Sequence, residues 1–367
     1  MLVGAFPHPT AKRVYGGQVS VCTRLLQSKF VETFAVRTVD STQVSNPPPS
    51  LPLRGILALW RLVQFSVELV LHRPDAVLLF LARGASVYEK GAMTWLSGLL
   101  GIPVLVFPRA GGLIQDYFAS AMHASFVRRT LGRARFFLCQ GRTFQEFAIS
   151  ELGFDPTHAP IIPNWTALRT HLEIGEKRAP GLDRPIPRVL FLGWLEEPKG
   201  VFELLQSALT LKQRDIPVHV TFAGNGSALP AAIEFVERNG LHDRIAFAGW
   251  VDDDAKTALL NESDIFVLPS WSEGLPNAMI EAMSAGLACI LTEVGMIPDY
   301  VVHGRHGLLV PPRDVDALTQ ALTQLVANPA LRGEVARQGH LLAAAQFSLD
   351  NGAAMLSEAV LAAIVRR

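Results

Sequence analysis

Residues 264–292 read DIFVLPSWSEGLPNAMIEAMSAGLACILT. The opening DIFVLP is an unbroken apolar run bounded by an acid and a proline, the pattern of a short strand buried on both faces. A Ser/Trp/Ser loop follows, then Glu273 and Gly274. Pro276 suits the first turn of a helix and Gly286 suits its end, so a helix is expected over about 276–285. The run ACILT then reads as a second buried strand. Strand, loop, helix, strand in this order is one unit of a parallel sheet. Glu281 falls inside the helix among Met279, Ile280, Ala282 and Met283. A carboxylate on so apolar a helix needs partners. A ribose cis-diol is a good one, because a carboxylate can accept from both hydroxyls. Glu273 precedes the helix and should project at its N-terminus.

Similar units extend in both directions. Toward the N-terminus of this half, RVLFLGW, HVTFAGN and IAFAGW are strand candidates, with helices expected over about 200–213, 228–239 and 252–261. GLLV follows downstream, with closing helices at 314–327 and 351–366. The first half alternates too: LVGAF, FAVRTVD, AVLLFLA, PVLVF, ARFFLCQ and PIIPN read as strands, with helices such as 54–71 and 142–152 between them. The polar, Pro/Gly-rich segment 170–187 reads as a linker. The expected organisation is an N-terminal α/β domain over 1–169, the linker 170–187, a C-terminal α/β domain over 188–350, and a final helix over 351–367.

Composition narrows the class. Of 367 residues, 49% are hydrophobic and 18% charged, which excludes a disordered chain. The three cysteines, Cys22, Cys139 and Cys289, are far apart and odd in number, against a disulfide framework. The opening MLVGAFPHPTAKR has too short an apolar run for a signal peptide. Residues 91–108 carry no charge, but Gly101 and Pro103 cut the run into a helix ending near Leu100 and a strand, PVLVF. Net charge is zero, yet residues 1–180 hold 19 Lys and Arg against 11 Asp and Glu, and the remainder holds 14 against 22. The basic half points to an anionic partner: nucleic acid, or an anionic membrane surface met through the arginines of FVRRTLGRARFFLCQGR, residues 126–142. No nucleic-acid motif accompanies it.

In parallel α/β domains, ligands bind beyond the carboxyl ends of the strands. After the first strand comes YGGQVS, with Gly16 and Gly17 opening a helix, where the backbone can approach an anion. After RVLFL come Gly193, then Lys199 and Gly200 ahead of the next helix, a sensible phosphate clamp. Asp252, Asp253 and Asp254 follow a strand and precede AKTALL, which reads as helix capping rather than a metal motif. The histidines are scattered, and no metal site is expected.

These segments together resemble the group 1 retaining glycosyltransferases of the GT-B fold. The stretch 262–318 is similar to that family's E-x7-E region, with Glu273 and Glu281 as its acids. LFLGWLEEPKGVFELLQSA resembles the family's strand–loop–helix with its phosphate-binding lysine, IIPNW the interdomain turn, and YGGQVS the N-terminal Gly-Gly loop. The resemblance is tight over about 188–320 and loose over 1–168. It implies two facing Rossmann-like domains, with the final helix crossing back to the first. It implies a nucleoside-diphosphate sugar as donor, transfer to a hydroxyl of a glycan or lipid-linked acceptor with retention, and no separate cofactor. The setting implied is bacterial polysaccharide or cell-envelope glycan synthesis, in the cytoplasm or on the inner face of the cell membrane. Carried over residue by residue, Glu281 binds the donor ribose. Glu273 contacts the transferred sugar. Gly274, Leu275, Pro276, Asn277 and Ala278 surround sugar and diphosphate. Lys199 neutralises the leaving group beside Gly193, and Gly16 and Gly17 approach from the N-terminal domain. The family commonly has Arg where Trp194 stands, and often His where the loop here is PRAGG, so Arg109 is expected to supply part of the positive charge. A sugar-nucleotide epimerase on the same fold and a catalytically inactive partner subunit are the alternative readings.

Overall fold

A computed structural model describes residues 1–7, 17–42, 50–178 and 184–365. The chain divides into two compact units, Met1–Thr166 with Leu349–Arg367, and Ala167–Ser348. In the first unit the strands are β1 (Leu2–Gly4), β2 (Thr38–Asp40), β3 (Val77–Leu81), β4 (Val104–Pro108) and β5 (Phe136–Phe137). They form an all-parallel sheet in the order β2-β1-β3-β4-β5. Every residue of β3 and β4 is buried, as a sheet covered on both faces requires. The uncharged run 91–108 divides as expected, between the helix Ala85–Leu99 and β4. PIIPN is not a full strand. It makes one parallel bridge, Cys139 to Ile161, because Pro160 and Pro163 have no N–H to extend a ladder.

The last helix, Leu349–Val365, belongs to this first unit. Its Ala353, Leu356, Ala359, Val360 and Ala363 join Leu2, Phe80, Phe107 and Trp165 in one core. Gly352 is required there, since a Cβ would stand 2.7 Å from the Trp165 side chain.

The second unit holds β6 (Arg188–Leu192), β7 (His219–Ala223), β8 (Ile245–Gly249), β9 (Ile265–Leu268), β10 (Ala288–Thr292) and β11 (Leu308–Val310). All pair in parallel, in the order β11-β10-β9-β6-β7-β8. The winding therefore leaves β6 in one direction, returns to β9 on its other side, and continues. The linker reading needs correction. The segment carries a helix, Arg169–Lys177, that packs into the second unit through buried His171. Arg178 then donates to the carbonyls of Leu260 (2.8 Å) and Ser263 (2.5 Å), closing the C-terminal end of the helix Asp253–Glu262. The helix Pro329–Gln346, absent from the sequence reading, lies against the helix Asn277–Ser284 and β10.

Candidate functional site

A sheet wound in both directions has a switch point where two neighbouring strands send their loops to opposite sides, leaving a crevice at their carboxyl ends. In the second unit that point lies between β6 and β9. The loop after β6 carries Gly193, Trp194 and Lys199; the loop after β9 carries Trp271, Glu273 and Gly274. The two loops are fastened to each other. Trp271 N–H donates to the Pro198 carbonyl at 2.9 Å. Gly200 has φ 75° and lies so near Pro269 that a side chain would strike its carbonyl oxygen. Gly295, φ 59°, likewise presses the loop after β10 against the Glu273 carbonyl.

This fastening brings the Lys199 ammonium 2.6 Å from Glu273 Oε1. Beyond Glu273 the chain enters the helix Asn277–Ser284, whose N-cap, Pro276, makes no side-chain cap bond. The amides of a helix's first turn, together with the helix dipole, favour an anion there. Gly274, Leu275 and Pro276 are buried; Asn277 and Ala278 are half-buried. Gly274 accepts from Met296 N–H at 3.1 Å, which holds the turn.

Glu281 lies one helical turn further on, buried, and accepts from Lys256 Nζ at 2.9 Å. Lys256 also reaches Asp253 at 3.2 Å. Burial alone would lower the Lys256 pKa; the two carboxylates outweigh it and hold it above the ordinary lysine value. Asp252 accepts from Ala255 N–H at 2.9 Å, so it caps the helix as its position suggested. Lys256 itself was not foreseen; the signal was a lysine one turn into that Asp-capped helix. Also unforeseen is Glu203, whose Oε1 accepts from Trp271 Nε1 at 2.6 Å while Arg313 stacks 4.0 Å over the indole. Trp194 stands half-buried beside Trp250, ring centroids 5.8 Å apart. Among the described residues no three of His, Cys, Asp and Glu gather to hold a metal ion.

In the first unit, Gly17 opens the helix Gly17–Leu26, and Gly16 lies outside the described residues. Arg109 follows β4. Its guanidinium lies 4.7 Å over Phe107, 5.3 Å over Trp165 and 5.6 Å over Phe80, and its Nη1 is sealed from solvent with no hydrogen-bond partner among the described residues. Burial pushes its pKa down to about 9. The cation expected to face a ligand is thus held mostly by rings, which attract it without satisfying its N–H groups.

The chain is a protein of two parallel α/β units, the second of which brings Lys199 and Glu273 together at its switch point. Residues 186–328 match the model of the family described as glycosyl transferases group 1. Over that stretch the chain is similar to the family, and its fold is GT-B. It is similar to the teichuronic acid biosynthesis glycosyltransferase TuaC of Bacillus subtilis, 29% identical over 74% of this chain and 65% of that one. It is also similar to the lipopolysaccharide core biosynthesis glycosyltransferase LpsE of Rhizobium meliloti, 29% identical over 55% of this chain and 57% of that one. The matched region therefore spans less than two thirds of each of these relatives. Among solved structures, Anabaena Alr3699/HepE in complex with UDP and glucose superposes with a TM-score of 0.69 over 99% of this chain and 100% of its own, at 15% identity. The sucrose-phosphate synthase of Thermosynechococcus elongatus superposes with a TM-score of 0.70 over 90% of this chain and 84% of its own, at 19% identity.

Proposed function

We propose that this protein is a glycosyltransferase that moves a sugar from a nucleoside-diphosphate sugar to a hydroxyl of a glycan or lipid-linked acceptor, with retention, in bacterial polysaccharide or envelope-glycan synthesis. The observation that carries the reading is the Lys199–Glu273 pair at 2.6 Å, set at the switch point and ahead of the helix Asn277–Ser284. Breaking the bond from the anomeric carbon to the diphosphate oxygen sends an electron pair to the diphosphate and leaves the sugar oxocarbenium-like. A lysine and helix amides aimed at the diphosphate lower that barrier. The acceptor oxygen attacks on the face the diphosphate leaves, and its proton passes to the departing phosphate oxygen. Glu273 meets the sugar hydroxyls and Glu281 the ribose, Arg109 adds positive charge for the diphosphate, and the first unit binds the acceptor. Because Lys199 and the amides supply the charge, EDTA should leave turnover unchanged.

The test is incubation of the full chain with UDP-, GDP- and ADP-sugars, reading nucleotide release and melting temperature. Release from at least one donor, with a raised melt from its nucleotide, supports the reading. No release and no shift with any nucleotide at millimolar concentration ends it.

A further inference from the structure

The helix Leu51–His72 has its polarity inverted. A surface helix in water turns its charged face outward. Here Leu53, Ile56, Trp60, Val63, Val67 and Val70 are each 45–65% exposed. Their spacing of three and four places them within about 100° of the helix circumference. On roughly the opposite side, Phe65 and Leu69 are buried in the first unit. Arg61 points to the body as well: its Nε donates to Glu89 at 2.6 Å, and Glu89 also pairs with buried Lys90 at 3.1 Å. By length and composition the helix could cross a membrane. Crossing would tear Phe65 and Leu69 from the core and leave the Glu89–Lys90 cluster without Arg61. The helix is therefore fixed along the surface, with an apolar stripe about 26 Å long facing outward.

The geometry points to an anionic lipid bilayer as what covers this stripe, with the helix lying in the plane of the interface. Charge decides against a second copy of the chain. The unit that carries the stripe holds 18 Lys and Arg against 11 Asp and Glu, so two such surfaces repel while an anionic bilayer attracts. A second patch on the same unit has the chemistry of the same occupant. The helices Ala85–Leu99 and Ala121–Thr130 form an open groove of Trp95, Met122 and Phe126 edged by Arg129 and Arg133. Apolar side chains with a tryptophan suit the acyl boundary, and arginines at the rim suit phosphate headgroups. Both arginines are exposed, as are Arg128 and Arg142 of the basic stretch singled out from the sequence. This inference does not depend on the transferase reading.

Flotation of the full chain with vesicles tests it, using phosphatidylcholine alone and an equimolar mixture with phosphatidylglycerol. The parent protein should float with the mixed vesicles at low salt, at least about tenfold more than with neutral ones, and high salt should reduce the difference. Ile56→Glu with Val63→Glu should cut flotation by about tenfold or more while leaving the melting temperature unchanged, since both side chains are exposed. Arg129→Gln with Arg133→Gln should weaken flotation and flatten its salt dependence. Absence of flotation with mixed vesicles, or flotation unaltered by the two glutamates, overturns the inference. So does a dimer, seen by ultracentrifugation without lipid, that the same glutamates dissociate while vesicles bind neither protein.

Discussion

The Lys199 ammonium and the Glu273 carboxylate, 74 positions apart in sequence, meet at 2.6 Å across the β6/β9 switch point. Each neutralises the other while no anion is bound. On the proposed reading, a diphosphate entering the crevice would compete for the lysine and free the carboxylate to turn to sugar hydroxyls. A charge-assisted contact of this kind contributes about 1.5–3 kcal/mol, or about 10- to 150-fold in rate if realised in the transition state. Lys199→Ala should lower kcat by that factor. A kcat within about twofold of the parent places the phosphate clamp elsewhere.

Glu281 is paired with Lys256 in a buried setting, and this makes two separate expectations. Glu281→Ala should weaken nucleotide affinity by about tenfold, the loss of one charge-assisted acceptor, with a smaller effect on kcat. Calorimetric titration with the donor nucleotide measures it, and unchanged affinity removes Glu281 from the ribose role. The second concerns pH. The Lys256 pKa is raised in the folded state. Its pairing therefore stabilises fully below the unfolded lysine value near 10.4 and is lost as pH climbs through the higher folded value. Melting curves of the parent and Lys256→Met should differ at pH 8 and draw together as the pH climbs past the ordinary lysine range through the raised folded value.

Arg109 carries a charge in a nest of rings, with one nitrogen sealed and without a partner among the described residues. Burying such a group destabilises more than ring contacts recover. Arg109→Met should raise the stability of the protein by about 1–3 kcal/mol and lower turnover. A lower melting temperature with normal turnover would mark Arg109 as a packing residue only.

Trp271 is held from three sides: its N–H by Pro198, its indole Nε1 by Glu203, and its ring face by Arg313. Two residues later comes Glu273. Among the described residues Glu203 Oε2 has no partner, so removing the indole donor leaves the whole carboxylate unsatisfied in a buried place. Trp271→Phe should cost about 1–3 kcal/mol in stability. It should also lower kcat several-fold more than it raises KM, because the loop that positions Glu273 loosens. Equal effects on kcat and KM, or none on either, would show that Trp271 does not position the acid.

Apolar strands were legible because burial on both faces leaves nothing but Val, Leu, Ile and Phe, as in VLLFL and ACILT. The turn after β9 was legible because Pro276 and Gly286 bracket the helix. The helix Pro329–Gln346 was not, because its buried positions are mostly small, Ala336, Gly339 and Ala343, and give little periodic contrast. The helix Arg169–Lys177 hid among charges and a glycine. Lys256 with Glu281, and Glu203 with Trp271, are pairs 25 and 68 residues apart. Such pairs exist only once strand order has brought their loops together, and no local pattern announces them. The inverted helix Leu51–His72 looked like an ordinary apolar helix, since sequence alone does not say which of its faces the sheet covers.

The first unit's core contains Ala353, Leu356, Val360 and Ala363, which the ribosome adds after the second unit, beside Leu2, Phe80 and Trp165, which it adds before it. Between them the whole second unit is translated, residues Ala167–Ser348. At roughly 5–20 residues per second, this interval lasts about ten to forty seconds. Throughout it the earlier sheet is synthesised but one wall of its core is missing. The later unit can close as it emerges, while the earlier one waits for the tail. A nascent chain stalled before Leu349 therefore presents a folded second half and an open, apolar first half to whatever chaperones are near.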